Sequence, residues 1–271
     1  MNTLTGKRCD YTLKLVSARI VSNIELIPGH GLLCIEAPYI ATDAQPGQFI
    51  TIKCGEELLL RRPFSVHKTA GTDLVFVFFK IVGKGTIWLS QRTRGEILDV
   101  LGPLGNGFSV PGSAKNLLLI AGGAGIAPLV FLAQRAPAQG KNVKLVIGAQ
   151  TARQLYPEEQ LPPGIERIFV TEDASRGEKG TVTQFLARHT GDLVMWSDRI
   201  YACGPLAMYQ EIERQGWHRK RTVQVSLEVR MGCGIGACYG CSIMTRKGMK
   251  QVCKDGPVFN IEDILWEEVR I

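Results

Sequence analysis

The 271-residue sequence has no stretch approaching the roughly 18–20 uninterrupted apolar residues that a helical membrane span requires. The segment from Met1 to Val16 carries charges and no continuous apolar run, so no secretory signal is read there and a cytoplasmic location is the expectation. No internal repeat and no low-complexity tract is present. Histidine is scarce: His30, His67, His189 and His218 show no partner pattern, nor do Trp88, Trp196, Trp217 and Trp266, and all eight are read as non-catalytic. No Cys or Ser sits in a base-paired motif, so no catalytic acid, base or nucleophile is assigned on this chain.

Charge leans to one sign. Lys and Arg total 32 against 25 Asp and Glu, a net of +7. The basic residues are scattered. Their densest run, His218-Arg219-Lys220-Arg221, is short and lacks interleaved aromatics, which argues against nucleic acid. An acidic protein partner or a plain solvated surface remain as readings.

What is present divides into three. Apolar residues make up 45% of the chain, enough for full cores in two domains. Residues 1–112 carry short alternating runs such as Gly31–Glu36, Gln48–Ile52 and Leu74–Phe79, with one short helical pattern near Thr86–Gln91. They predict a small antiparallel β-barrel. Residues 113–226 alternate solid apolar runs with helical ones: strands at Asn116–Ile120, Val143–Ile147, Arg167–Val170, Arg199–Cys203 and Thr222–Val225, helices at Pro128–Gln139, Thr181–His189 and Leu206–Gln215. That order predicts a doubly wound parallel sheet. In residues 227–271 glycine and cysteine dominate and periodicity disappears. About 45 residues are too few for an independent core, so a metal staple is expected.

Eight cysteines without a secretory signal argue against a disulfide framework. Cys9, Cys34, Cys54 and Cys203 are isolated and read as small buried hydrophobes. The other four follow Cys233-x4-Cys238-x2-Cys241-x11-Cys253, the plant-type spacing for a 2Fe–2S cluster. Gly232, Gly234, Gly236 and Gly240 interleave with them and let backbone N–H groups approach sulfur. A structural zinc site is the other reading, although only one short knuckle is present.

In the barrel stands Arg61-Arg62-Pro63-Phe64-Ser65, followed by Phe78-Phe79-Lys80 and Gly83-Lys84-Gly85-Thr86. The glycines free N–H groups at a helix start, a place suited to anions, and Thr86 can cap that helix. A diphosphate there implies FAD. In the second segment, Gly122-Gly123-Ala124-Gly125-Ile126-Ala127-Pro128 lies between a strand and a helix. Gly123 and Gly125 allow close approach of a pyrophosphate, and Pro128 suits the first turn. Cys203-Gly204-Pro205 ends a later strand. Thr171-Glu172-Asp173 ends another, as a ligand site or a solvated turn. Arg153 is open between a 2′-phosphate contact and surface, which leaves NAD against NADP undecided.

The tetrad Arg62-Pro63-Phe64-Ser65 resembles the flavin signature of the ferredoxin reductase-like superfamily. The resemblance implies that Arg62 meets flavin phosphates, Ser65 lies near the flavin N5, Phe64 flanks the ring, and Cys203-Gly204-Pro205 lies at the nicotinamide. The whole order is similar to the electron-transfer subunit family of type B dihydroorotate dehydrogenase. Its marks are Arg62–Ser65, Leu101-Gly102-Pro103-Leu104-Gly105-Asn106-Gly107-Phe108 and Cys253-Lys254-Asp255-Gly256-Pro257-Val258-Phe259. Phe64 departs from the aliphatic residue common there. That family implies FAD, a 2Fe–2S cluster and NAD on this chain. It also implies a separate FMN-containing catalytic subunit, two copies of each in a heterotetramer, serving pyrimidine biosynthesis. Oxygenase reductases share the parts but carry a longer ferredoxin domain. The small subunit of a bifurcating NADH-dependent ferredoxin:NADP oxidoreductase or a sulfide dehydrogenase is the alternative, though one cluster ligand there can be Asp.

Overall fold

The computed structural model describes residues 13–269, so Cys9 lies outside the described residues. The first sheet contains β1 (Lys14–Ile27), β2 (His30–Glu36), β3 (Phe49–Ile52), β4 (Arg62–Ser65), β5 (Lys68–Ala70), β6 (Leu74–Lys80) and β7 (Ile97–Leu104). It is antiparallel in the order β4-β3-β7-β1-β2-β6-β5. It curls until β4 approaches β6, and Phe64 meets Phe79 edge-on across the gap at 5.8 Å between ring centroids. Ile20, Leu33, Ile35, Ile50, Ile52, Val75, Val77 and Val100 fill the inside. Two short helices, α1 (Pro38–Asp43) and α2 (Lys84–Ser90), cover its ends.

The second sheet is built from β8 (Asn116–Gly122), β9 (Asn142–Ala149), β10 (Glu166–Thr171), β11 (Glu178–Lys179), β12 (Arg199–Cys203) and β13 (Thr222–Ser226). Its order is β11-β10-β9-β8-β12-β13, all parallel. The chain winds outward from β8 in both directions, so the topological switch lies between β8 and β12. Helix α3 (Ile126–Arg135) covers one face, while α4 (Val182–Arg188) and α5 (Leu206–Gln215) cover the other.

The two sheets share packing. Phe131 of α3 is fully buried in the barrel's core, and Ile27, Leu32 and Phe78 of the barrel belong to the core under α3. Burying a side chain of this size contributes about 2–3 kcal/mol, so α3 acts as a common wall. Among the described residues no helix is long and apolar enough to cross a membrane.

The C-terminal segment forms the hairpin β14 (Ser242–Thr245) and β15 (Gly248–Gln251), then α6 (Val252–Asp255) and β16 (Val258–Asn260). Strand β16 pairs antiparallel with β13 and extends the second sheet. Ile243, Val252, Ile261, Ile264 and Trp266 join the core beneath α4 and α5. The tail therefore has regular structure where the sequence shows no periodicity, because its strands are short and its apolar residues find partners on the neighbouring domain.

Candidate functional site

Cys233, Cys238 and Cys241 lie in one loop, and Cys253 returns to it from the first turn of α6. Backbone N–H groups of Ile235, Ala237 and Cys238 donate to Cys233 Sγ at 3.5, 3.2 and 3.4 Å. Cys233 and Gly240 donate to Cys238 Sγ, Gly236 to Cys253 Sγ at 3.1 Å, and Cys253 to Cys241 Sγ. Gly236 has φ +83°, the left-handed region that turns its N–H toward sulfur without a Cβ penalty. Burial pushes the Cys233 thiol up, but the N–H groups aimed at it outweigh that and bring it down to about 6. Burial, then Cys241, pushes Cys253 up to about 12.

The sulfurs group two and two, Cys233 with Cys238 and Cys241 with Cys253. Among the described residues no three Cys, His, Asp or Glu groups converge as a single ion needs. Two cysteine pairs match the ligand set of a binuclear iron–sulfur centre. The loop rests on the barrel. A Cβ at Gly234 would come within 3.0 Å of Thr51 on β3, and β3 is hydrogen-bonded to β4, the strand of the flavin tetrad. One strand spacing is about 4.8 Å. The Cys253 segment is anchored by the turn after β7: Asn106 donates from its backbone to Gly256 O at 2.6 Å and from Nδ2 to Lys254 O at 3.0 Å.

At the start of β4, Arg61 and Arg62 part company. Arg61 pairs with Asp99 Oδ2 at 2.8 Å and with its carbonyl, tying β4 to β7. Arg62 gives one N–H to Leu60 O and lays its stem across Gly85, where a Cβ would come within 3.0 Å of Arg62 Cγ. Its remaining donors and the half-buried Ser65 hydroxyl have no partner among the described residues, which fits an anionic group and a ring heteroatom. Thr86 Oγ1 accepts from Val82 and Gly83 N–H, so it caps α2. Three residues assigned to the cofactor from sequence face elsewhere. Phe64 and Phe79 are committed to the barrel core, and Phe78 packs on His30, His67 and Tyr156 beneath α3. Strand β6 is covered on both faces, so its side chains are core and only Lys80 is exposed. Pro63 pairs opposite Thr51 and is half-buried.

At the switch point, the two glycine-rich turns meet. Cys203 pairs with Ala121, and a Cβ at Gly125 would collide with Cys203 O. Gly122 faces Pro205, where a Cβ would come within 2.9 Å, and Gly204 faces the end of Met208 at 2.6 Å. Gly123, at φ +54°, has open space in front of it. Pro128 is the third residue of α3, where its missing N–H breaks no intrahelical bond. Helix α3 thus begins two residues earlier than the sequence suggests. Gly204 N–H donates to Tyr209 Oη at 2.9 Å and Tyr209 Oη donates to Ser226 O at 2.6 Å, which fixes the Cys203-Gly204-Pro205 turn.

Cys203 itself is fully buried, so Gly204 and Pro205 are what the turn exposes. Burial, then the nearby Glu228, pushes the Cys203 thiol well up, and it stays neutral. Glu228 Oε1 lies 4.0 Å from Cys203 Sγ. The residue keeps surface exposure, yet the protein around its carboxyl desolvates it and raises its pKa. The sequence reading passed over Glu228. The available signal was an acid immediately after the last parallel strand. Asp173 caps its own turn by accepting from Ser175, and Arg153 is exposed.

A flavin-type barrel joined to a doubly wound sheet, with a four-cysteine loop between them, defines an iron–sulfur oxidoreductase of the ferredoxin reductase-like class. Family models agree: the iron–sulfur cluster binding domain of dihydroorotate dehydrogenase B matches residues 228–265, and the oxidoreductase NAD-binding domain matches residues 119–214. The chain is 37% identical over 264 residues to the dihydroorotate dehydrogenase B (NAD(+)) electron transfer subunit of Desulforamulus reducens, spanning 94% of this chain and 99% of that relative. The subunit of the same name from Caldanaerobacter subterraneus is 39% identical over 225 residues, 82% and 87% of the two chains. This chain belongs to the family of dihydroorotate dehydrogenase B electron transfer subunits. A solved structure of an NADH-dependent reduced ferredoxin–NADP oxidoreductase superposes with TM-score 0.84 at 30% identity, covering 93% of this chain and 91% of that one. The ferredoxin reductase of carbazole 1,9a-dioxygenase, at TM-score 0.65 and 22% identity over 76% and 66% of the chains, shares the fold.

Proposed function

We propose that this chain carries electrons from a partner subunit through a 2Fe–2S cluster and FAD to NAD⁺. The partner is an FMN-containing subunit that oxidises dihydroorotate, with two copies of each in the complex. The setting is pyrimidine biosynthesis in the cytoplasm. The working units are 1–112 for FAD, 113–226 for NAD and 227–271 for the cluster. The observation that carries the reading is the cysteine loop seated on β3, one strand from the Arg62–Ser65 tetrad.

When bound, the cluster moves single electrons, the flavin couples them into pairs and the nicotinamide exchanges a hydride. Cys233, Cys238, Cys241 and Cys253 hold the iron, and the N–H groups of Ile235, Gly236 and Ala237 spread the negative charge of the sulfurs. Arg62 neutralises flavin phosphate, Gly85 leaves room for it, and Ser65 orients the ring edge. Gly123 admits the pyrophosphate, while Gly125 and Gly204 keep the crevice walls close.

Ile235, Tyr239, Met244 and Met249 are exposed around the cluster loop and hairpin. An apolar face beside the cluster suits a partner that must approach closely for electron transfer. The ferredoxin–NADP oxidoreductase structure supports a second reading, a bifurcating subunit. The four-cysteine ligand set and the shared names of the sequence relatives favour the first. Purification of the native complex decides between them. Recovery of a dihydroorotate-oxidising FMN subunit supports the proposal. Recovery of a large iron–sulfur subunit coupling NADPH to ferredoxin replaces it.

A further inference from the structure

Two residues beyond Ser65, His67 is fully buried between the domains. Its Nδ1 lies 2.9 Å from Ala127 O and its Nε2 lies 2.8 Å from Tyr156 Oη. A carbonyl can only accept, so Nδ1 carries a proton. Full burial keeps the imidazole neutral, so Nε2 is the unprotonated nitrogen and accepts from the tyrosine hydroxyl. Ala127 is the second residue of α3, inside the G-x-G-x-x-P turn. Tyr156 follows β9 and packs edge-on against Phe78, 5.3 Å between centroids at 87°. One ring thus links the end of the flavin strand to the first turn of the nicotinamide helix and to the loop beside it.

The other polar ties across this wall lie further along α3. Gln134 Nε2 donates to Thr69 O at 2.9 Å, and Arg135 Nη2 to Thr69 Oγ1 at 3.3 Å. They hold the far end of the helix, and Phe131 holds its middle. Apolar contacts alone would let the near end slide and rotate, because burial is non-directional. Two directional bonds to one rigid ring do not. Hydride transfer depends on reacting atoms held about 3–3.5 Å apart, and a 1 Å misplacement can cost on the order of a hundredfold.

We propose that His67 is a positioning residue: its bonds to Ala127 O and Tyr156 Oη set the nicotinamide loop against the flavin strand and so fix the hydride-transfer distance. The inference rests on the reading of Gly122–Pro128 as the pyrophosphate loop of the nicotinamide cofactor. It is tested on the full complex, loaded with its cofactors, carrying His67→Leu, His67→Gln or Tyr156→Phe. Single-turnover flavin reduction at saturating NADH, the nicotinamide–flavin charge-transfer band, NAD⁺ affinity and amide hydrogen exchange over residues 126–131 are measured.

Tyr156→Phe and His67→Leu are expected to slow saturated reduction about tenfold or more. They should weaken the charge-transfer band and speed exchange over 126–131, with NAD⁺ affinity within about threefold. His67→Gln, whose amide can both donate and accept, should recover most of the rate. Variants that lose thermal stability while rate and band stay unchanged overturn the proposal, as does a glutamine variant no better than leucine. Should His67→Leu not fold, Tyr156→Phe, which removes one oxygen, decides alone. A wild-type complex that shows neither charge-transfer band nor NADH oxidation refutes the nicotinamide reading itself.

Discussion

The nicotinamide crevice and the cluster loop are both glycine-rich, yet their glycines answer different physical demands. In the crevice, Gly122, Gly125 and Gly204 are small because buried backbone and side chains press on them; a Cβ has no room. In the cluster loop, Gly234 and Gly236 have φ of +73° and +83°, left-handed values that strain any other residue, and Gly236 aims its N–H at Cys253 Sγ. One set is needed for packing and the other for conformation. The crevice should thus respond to substitution through stability, and the cluster loop through cofactor content and potential.

The largest effect expected is at Cys253. Cys253→Ser removes a ligand that closes the second sulfur pair, so iron and the reduced-cluster EPR signal should be lost. The flavin absorbance should remain, because the Arg62–Ser65 strand is untouched. Next comes Gly125→Ala, whose methyl would overlap Cys203 O. It should destabilise by about 3 kcal/mol or more in urea unfolding, in line with overpacked cores. If it instead leaves stability intact and removes only NAD⁺ binding, the packing account of the crevice fails.

Arg62→Ala should weaken FAD by about 1.5–3 kcal/mol, or roughly ten- to a hundredfold, measured by flavin retention after dilution. Smaller again is Gly236→Ala. It strains a left-handed residue by about 1–2 kcal/mol and tilts one N–H away from Cys253 Sγ. A lowered cluster potential beside a smaller loss of thermal stability would separate it from Gly125→Ala.

A separate effect, spread across the acid range, is a pH slope. Burial holds His67 down to about 3, against an ordinary value of 6.5; the Ala127 bond opposes this and Lys68 adds to it. The unfolded chain therefore binds a proton below pH 6.5 that the folded chain does not take until about pH 3. Stability should fall as pH drops through that window, by up to about 1.4 kcal/mol per pH unit from this group. His67→Gln should flatten the slope in pH-dependent denaturation.

Much of the second domain was legible. Arg199–Cys203 and Leu206–Gln215 are read from sequence with the bounds the structure shows. Solid apolar strands and amphipathic helices state their own burial. The 14-residue β1 was missed because its alternation breaks where the register shifts between Ile20 and Ser22. Strands β14, β15 and β16 were missed because their pairing partners, not their own patterns, define them. The glycine and cysteine motifs were legible because spacing and conformational need are local properties. The packing of Phe78, the approach of Glu228 to Cys203 and the partners of His67 were not. Each depends on groups distant in the chain: His67 meets Tyr156 across 89 positions.

The central claim is that one chain links a nicotinamide site to a 2Fe–2S cluster through a flavin. An anaerobic titration of the purified chain with NADH, followed by absorbance and low-temperature EPR, tests it most directly. The account predicts flavin bleaching and a rhombic reduced-cluster signal. In Cys253→Ser the bleaching should persist and the signal should vanish. A protein with about one zinc and no iron, or a cluster that dithionite reduces and NADH leaves untouched while the flavin bleaches, would contradict it.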